Sequence, residues 1–383
     1  MMAEMTRKER LWSVYKKETP DRVPVKLWGL DNRSSLINPA YKIVYDNAAV
    51  KTDLIRNASS RCDIVNGKNN YHLYEVYDEP YNKDWTACVK IMHTPEGDLR
   101  SVQMHSTKGH PGLDTEHFVK DEDDLKKILA LEYEPFTVDL KEYRDALGDM
   151  GDDGLVMFSL PHPAYTLQIL TGSENLGYLL YDAPELVYEA ITVFSKRLNN
   201  YIKAVLEAGI ASGSNKTFAV GYVGPELFIP PLVSFDMFEK YVYDIDKPNI
   251  DLIKNAGGYV WVHSHGKVRR LIPRFADMGI DVLNPIEPPP MGDCSISEAL
   301  KAADGKITLE GNIEVNDLMN QNEEFIRAFV ESTVKTAAEQ ADKKFILCQS
   351  AGAMEYVQPS ENYINNLLTY INYGIEMSKK YAN

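Results

Sequence analysis

The chain lacks several things. Nowhere in its 383 residues do 18 consecutive apolar side chains occur, so no membrane-spanning helix is expected. It has no basic surplus. The formal net charge is -15, which argues against nucleic acid or an anionic membrane surface as the main partner. Cysteine is scarce. Cys62, Cys88, Cys294 and Cys348 have no regular spacing and make no disulfide framework. The first three read as small buried apolar side chains, and a reducing cytoplasm suits all four. The opening MMAEMTRKERLW has no apolar stretch and no cleavage site, so no secretory signal is expected. No G-x-G-x-x-G opens a helix and no P-loop occurs, which leaves nucleotide-binding folds without support.

What is present is an alternation of strand and helix. Residues 5–17 form a short amphipathic helix, and Val23–Trp28 reads as the first strand. The segment Lys51–Ser60 is expected to be helical. Residues 62–120 differ: Trp85–Met92 and Leu99–His105 are β-rich runs around Thr94-Pro95-Glu96-Gly97-Asp98, a turn signal. This reads as a hairpin inserted between barrel elements. Tyr71, His72, Tyr74, Tyr77, Trp85 and several histidines crowd it, as in a lid over a site. From Asp121 onward, helices alternate with strands at Leu155–Leu160, Thr217–Tyr222, Tyr259–Val262, Asp281–Ile286, Ile307–Leu309 and Phe345–Leu347. The expected fold is α/β, a single TIM (β/α)8 barrel over 1–383 with residues 62–120 as a lid. A doubly wound open sheet is the alternative.

One stretch organises the rest: YVWVHSHGKVRRLIPRFADMGIDVLNPIE, Tyr259–Glu287. A strand delivers His263-Ser264-His265-Gly266, a helix over Lys267–Met278 follows, and a second strand delivers Glu287. Residues i and i+2 of a strand share a face, and barrel chemistry gathers at strand C-termini. Glu287 follows His265 by 22 residues, and Cys348 follows His265 by 83. Imidazole, carboxylate and thiolate are zinc donors, so His263, His265, Glu287 and Cys348 are the expected metal ligands. Glu310 and Glu226 end two other strands. Each is a candidate catalytic acid or base, with supporting a ligand or capping a helix as the other readings.

At these residues the chain resembles the uroporphyrinogen decarboxylase superfamily, and within it the corrinoid-dependent methyltransferase branch. The stretches that carry the resemblance are RKERLWSVYKKETPDRVPV, HTPEGDLRS, VGPELFIPPLVS, HSHGKVRRLIPRFADMGIDVLNPIEPPPMGD, LEGNIE and PSENYINNLL. They span essentially the whole chain, and the resemblance implies a TIM barrel. The true decarboxylase carries an arginine-rich segment after its first strand. Here LWGLDNRSSLINPAYK has one arginine, Arg33, a departure that argues against an octacarboxylate tetrapyrrole. The methyltransferase branch binds zinc through a His-x-Cys pair and a later cysteine. Here His265 replaces the cysteine of the pair. Cys348 matches the later one approximately, while Ala351, Gly352 and Ala353 occupy the usual neighbourhood.

The resemblance implies methyl transfer. Cleaving a methyl ether releases a poor leaving group, and zinc on its oxygen lowers that barrier. A chain rich in aromatics, with 23 tyrosines, suits a flat aromatic ether. No corrinoid-binding D-x-H-x-x-G pattern occurs, so the corrinoid is expected on a partner protein. The expectation is a zinc-dependent methyltransferase that demethylates a small methoxylated aromatic substrate. Corrinoid-to-thiol methyl transfer, decarboxylation of a smaller acid, and a non-catalytic tetrapyrrole-binding barrel are the alternatives. A homodimer is left open.

Overall fold

A computed structural model of the chain describes residues 4–31, 38–68, 74–108, 110, 112–212, 217–352 and 358–382. Arg33, Tyr71, His72 and Ala353 lie outside these. Eleven strands are assigned among the described residues: β1 (Leu54–Ala58), β2 (Tyr74–Asn82), β3 (Trp85–Thr94), β4 (Gly97–Ser106), β5 (Leu113–Glu116), β6 (Gly154–Leu160), β7 (Phe218–Val223), β8 (Gly258–His263), β9 (Val282–Ile286), β10 (Thr308–Ile313) and β11 (Phe345–Gln349).

Seven of them form one parallel sheet in the order β1-β6-β7-β8-β9-β10-β11. The segment around Val25 joins its edges. Val25 bridges Leu347 in parallel, Lys26 N donates to Leu347 O across 2.8 Å, and Asp53 N donates to Val25 O across 2.8 Å. This short extended stretch therefore lies between β11 and the start of β1 and closes the curled sheet as an eighth strand. Long helices such as Pro184–Glu207, Glu323–Ala341 and Glu361–Lys380 cover the outside. No helix among the described residues is long and apolar enough to cross a membrane.

The interior follows from strand alternation. Ile55, Leu155, Met157, Ala219, Val282 and Ile346 fill the barrel, one residue in two along each strand. The helix Arg7–Tyr15 plugs the N-terminal mouth with Leu11, Val14 and Tyr15. It starts where Thr6 and Glu9 form a reciprocal capping box. With the lower end packed shut, chemistry is left to the C-terminal mouth.

Several expectations change. Lys51–Ser60 is not helical. The helix is Lys42–Lys51, and Leu54–Ala58 is β1, paired with Gly154–Phe158. Leu54 and Ile55 are buried on opposite faces, and a five-residue run shows no period from which to tell strand from helix. The helix after His265 starts at Ile272, because Pro273 is tolerated only in a first turn. The expected hairpin is the centre of a four-stranded antiparallel sheet, β2-β3-β4-β5. Its edge strand β2 is exposed almost throughout, so it carries no apolar alternation to read. Finally, β10 runs four residues past Leu309, which places Glu310 inside the barrel rather than at a strand end.

Candidate active site

His263 is the last residue of β8, on the same face as Trp261. Its Nδ1 lies 2.6 Å from Asn284 Oδ1 on β9, and its ring stacks on Trp261 and against Trp28. Burial holds this imidazole down to about 4. The Asn284 hydrogen bond opposes that, and the charges of His265 and Lys26 add to it. His263 is therefore neutral at ordinary pH.

Its tautomer follows from the layer beneath. Glu310 is fully buried and holds three donors: Lys26 Nζ at 2.5 Å, Trp261 Nε1 at 3.0 Å and Asn284 Nδ2 at 3.1 Å. Because the Asn284 amide gives its N–H to Glu310, its carbonyl oxygen faces His263 and accepts Nδ1–H. The lone pair of His263 is then on Nε2. That nitrogen faces Glu226, whose Oε1 stands 3.9 Å away.

Glu226 comes from the loop after β7. A Cβ on Gly224 would fall 2.2 Å from the His263 carbonyl oxygen, so glycine there is what lets this loop lie against the end of β8. Glu226 Oε2 is buried without a partner among the described residues. Burial pushes this carboxyl up, against the opposing charges of His265 and His162. His265, just past the strand, turns edge-on to His263 with ring centres 4.7 Å apart. Its Nδ1 contacts Glu287 Oε2 at 3.1 Å. Burial disfavours its charged form, but the hydrogen bond and charge of Glu287 outweigh that and raise it.

Of the four expected metal ligands, His263, His265 and Glu287 come together, with Glu287 behind His265. Cys348 stands apart. It is fully buried in β11, next to Lys26 and Glu310, and burial pushes its thiol well above its usual value. Among the described residues no three His, Cys, Asp or Glu side chains are grouped to hold a metal ion. Glu226 faces the histidine pair, whereas Glu310 supports Asn284 from inside the barrel.

Sequence reasoning passed over Asn284, Lys26 and Trp261. A usable signal existed: a lysine in VPVKLW and an asparagine in VLNPI are polar residues in strands otherwise built for burial. It also passed over His162, which caps the helix Pro163–Asp182 and pairs with Asp246 at 2.7 Å, to which Tyr222 donates from the other side. Glu314, beyond β10, is pushed up to about 7 by burial and by Glu287.

A family model described as uroporphyrinogen decarboxylase (URO-D) matches residues 102–362. No curated protein matches the chain. Among solved structures, a methyltransferase from Methanosarcina mazei aligns with a TM-score of 0.58 at 14% identity, over 97% of this chain and 99% of its own. At that identity the likeness speaks for the fold alone. A GH5-4 broad specificity endoglucanase from Clostridium acetobutylicum gives a TM-score of 0.35 at 11% identity, over 68% of this chain and 80% of its own, and carries no argument.

Proposed function

This chain belongs to the uroporphyrinogen decarboxylase family, and from that premise we propose that it is a methyltransferase. It moves a methyl group from a methoxylated aromatic substrate to a corrinoid carried by a separate protein. The observation that carries this reading is the neutral His263, its Nε2 lone pair facing Glu226 at the mouth of the barrel.

In the reaction the ether O–CH3 bond would break with its electron pair left on the oxygen, and the partner's corrinoid, as Co(I), would supply the electron pair that takes up the methyl. The released oxygen takes a proton. Glu226 is the group on this chain placed to give it, since its buried Oε2 has no competing partner among the described residues. His263 holds a lone pair toward the reacting atoms. His265, tied to Glu287, presents its Nε2 beside them. Trp28 and Trp261 line the cavity at the mouth. Zinc belongs to this proposal as the ion the His263–His265 pair would take, and its chemistry would be Lewis-acid polarisation of the ether oxygen. The side chains are not grouped into a full ligand set, so no step here is routed through it. Elemental analysis of the native protein tests that part: about one zinc per chain, lost in His265→Ala, is expected, and no bound zinc with no effect of added zinc removes it.

A further inference from the structure

Between the four-stranded sheet and the ends of β6 and β7 lies a cavity of about 660 Å³, within the usual range for small-molecule sites. Its two walls differ in character. The barrel side is mostly apolar, with Leu160, Tyr165 and Leu170, and carries His162 as its imidazole. The sheet side sets Tyr74 of β2 and Phe118, just past β5, beside polar groups: Lys90 on β3, and Ser101 and Gln103 on β4. Lys90 and Ser101 are register partners, and Gln103 is two residues on, so all three share one face.

The charges on the polar wall are unequal in what they can still bind. Glu116 is already paired with Arg100 and with Lys120. Asp114 lies exposed at the rim. The Lys90 ammonium has no carboxylate within ion-pair distance among the described residues. On a chain of net charge -15, a half-buried cation on a cavity wall is a local exception.

This cavity borders the active site: His162 on its wall lies within electrostatic reach of Glu226. Val223 lines both it and the cavity at the barrel mouth that contains Trp28 and Trp261. Glu226 follows three residues later, and Tyr165 on the cavity wall lies within electrostatic reach of Glu226. The sheet is fixed over the cavity. Val119 N donates to Leu170 O across 2.9 Å. His117 packs where Gly172 interrupts its helix at φ +68°, and a Cβ on Gly172 would fall 2.3 Å from the His117 ring.

We propose that this cavity binds the substrate and selects an aromatic carboxylate, its ring against Tyr165 and Phe118 and its acid group on Lys90. The assignment rests on the methyl-transfer reading and deepens it. A neutral ring would be held by the apolar groups alone, whereas a ring acid also makes a charge-assisted hydrogen bond.

The test is ligand-observed NMR titration of the full chain with 3-methoxybenzoate and with methoxybenzene. Wild type binds both. Lys90→Met weakens 3-methoxybenzoate about tenfold and leaves methoxybenzene within about twofold. Ser101→Trp, which fills the cavity from the sheet side, removes both. Failure of wild type to bind either ligand, an unchanged 3-methoxybenzoate affinity in Lys90→Met, or retention of both ligands in a folded Ser101→Trp overturns the assignment. Binding needs no corrinoid protein, so the two readings fail separately. Lys90-dependent binding without methyl transfer keeps this cavity and sinks the methyl-transfer reading. Methyl transfer from an ether whose binding ignores Lys90 does the reverse.

Discussion

Asn284 Oδ1 lies 2.6 Å from His263 Nδ1, while the same amide donates its N–H to Glu310 at 3.1 Å. One side chain thus reads the charge of a buried carboxylate and passes it on as the tautomer of an imidazole. Asn284→Leu removes that instruction with little change of volume. We predict a mixed His263 tautomer by ¹⁵N NMR and a loss of activity of about 10–100-fold, the usual effect of losing a partner that orients a reactive histidine. A wild-type tautomer signal in Asn284→Leu would show that Asn284 does not set it.

The Lys26–Glu310 pair is buried on both sides, at 2.5 Å. Burial works against the lysine's charge, yet the charge and hydrogen bond of Glu310 outweigh it and raise Lys26. Removing one partner strands the other. Glu310→Leu is expected to destabilise the fold by about 3–5 kcal/mol in urea titration. The double variant Lys26→Met/Glu310→Leu should recover a large part of that loss, because the desolvation penalty disappears with both charges. Strict additivity of the two single losses would mean the pair is not coupled.

Acid sensitivity should come partly from Asp21. Its own burial would raise it, but the hydrogen bond and charge of Arg10 outweigh that and hold it below its usual value. A carboxylate lowered in the folded state stabilises the fold fully above its unfolded value, about pH 4. That contribution is lost as pH falls through the lower folded value. Asp21→Asn should therefore lower stability at pH 6 and flatten its decline below pH 4, as read by denaturant midpoints. An unaltered acid limb in Asp21→Asn would contradict this.

Cys348 is fully buried and its thiol is pushed up by burial, which makes it inert. In the native protein it should resist iodoacetamide until the chain is unfolded. Cys348→Ala should retain activity within about twofold and bind any added zinc as the wild type does, losing only about 1–2 kcal/mol of stability to the small cavity. Loss of zinc binding in Cys348→Ala at preserved stability would place the thiol among the ligands after all.

The barrel was legible because its later strands are apolar runs bounded by turn residues. The strands expected at Leu155–Leu160, Tyr259–Val262 and Asp281–Ile286 lie within one residue of β6, β8 and β9. The first strand was legible as sequence yet survives as a single bridge at Val25, since both its neighbours reach it with only a few hydrogen bonds. What stayed hidden was depth. His263 and His265 could be assigned to a strand end from local pattern. Whether Glu310 or Cys348 sits at the mouth or one layer down depends on where β10 and β11 stop, and Gly311 and Gln349 carry no stop signal. The closeness of Glu226 to His263 was equally hidden, because it depends on the backbone approach at Gly224.

The most direct test of the central claim is the absorbance change of a Co(I) corrinoid incubated with this chain, followed with 3-methoxybenzoate and a panel of other methoxylated aromatics. The account predicts methyl-cobalt formation with release of the demethylated phenol, abolished in His263→Ala and strongly slowed in Glu226→Gln. No methyl-cobalt from any donor, or formation that proceeds equally well in His263→Ala, would contradict it.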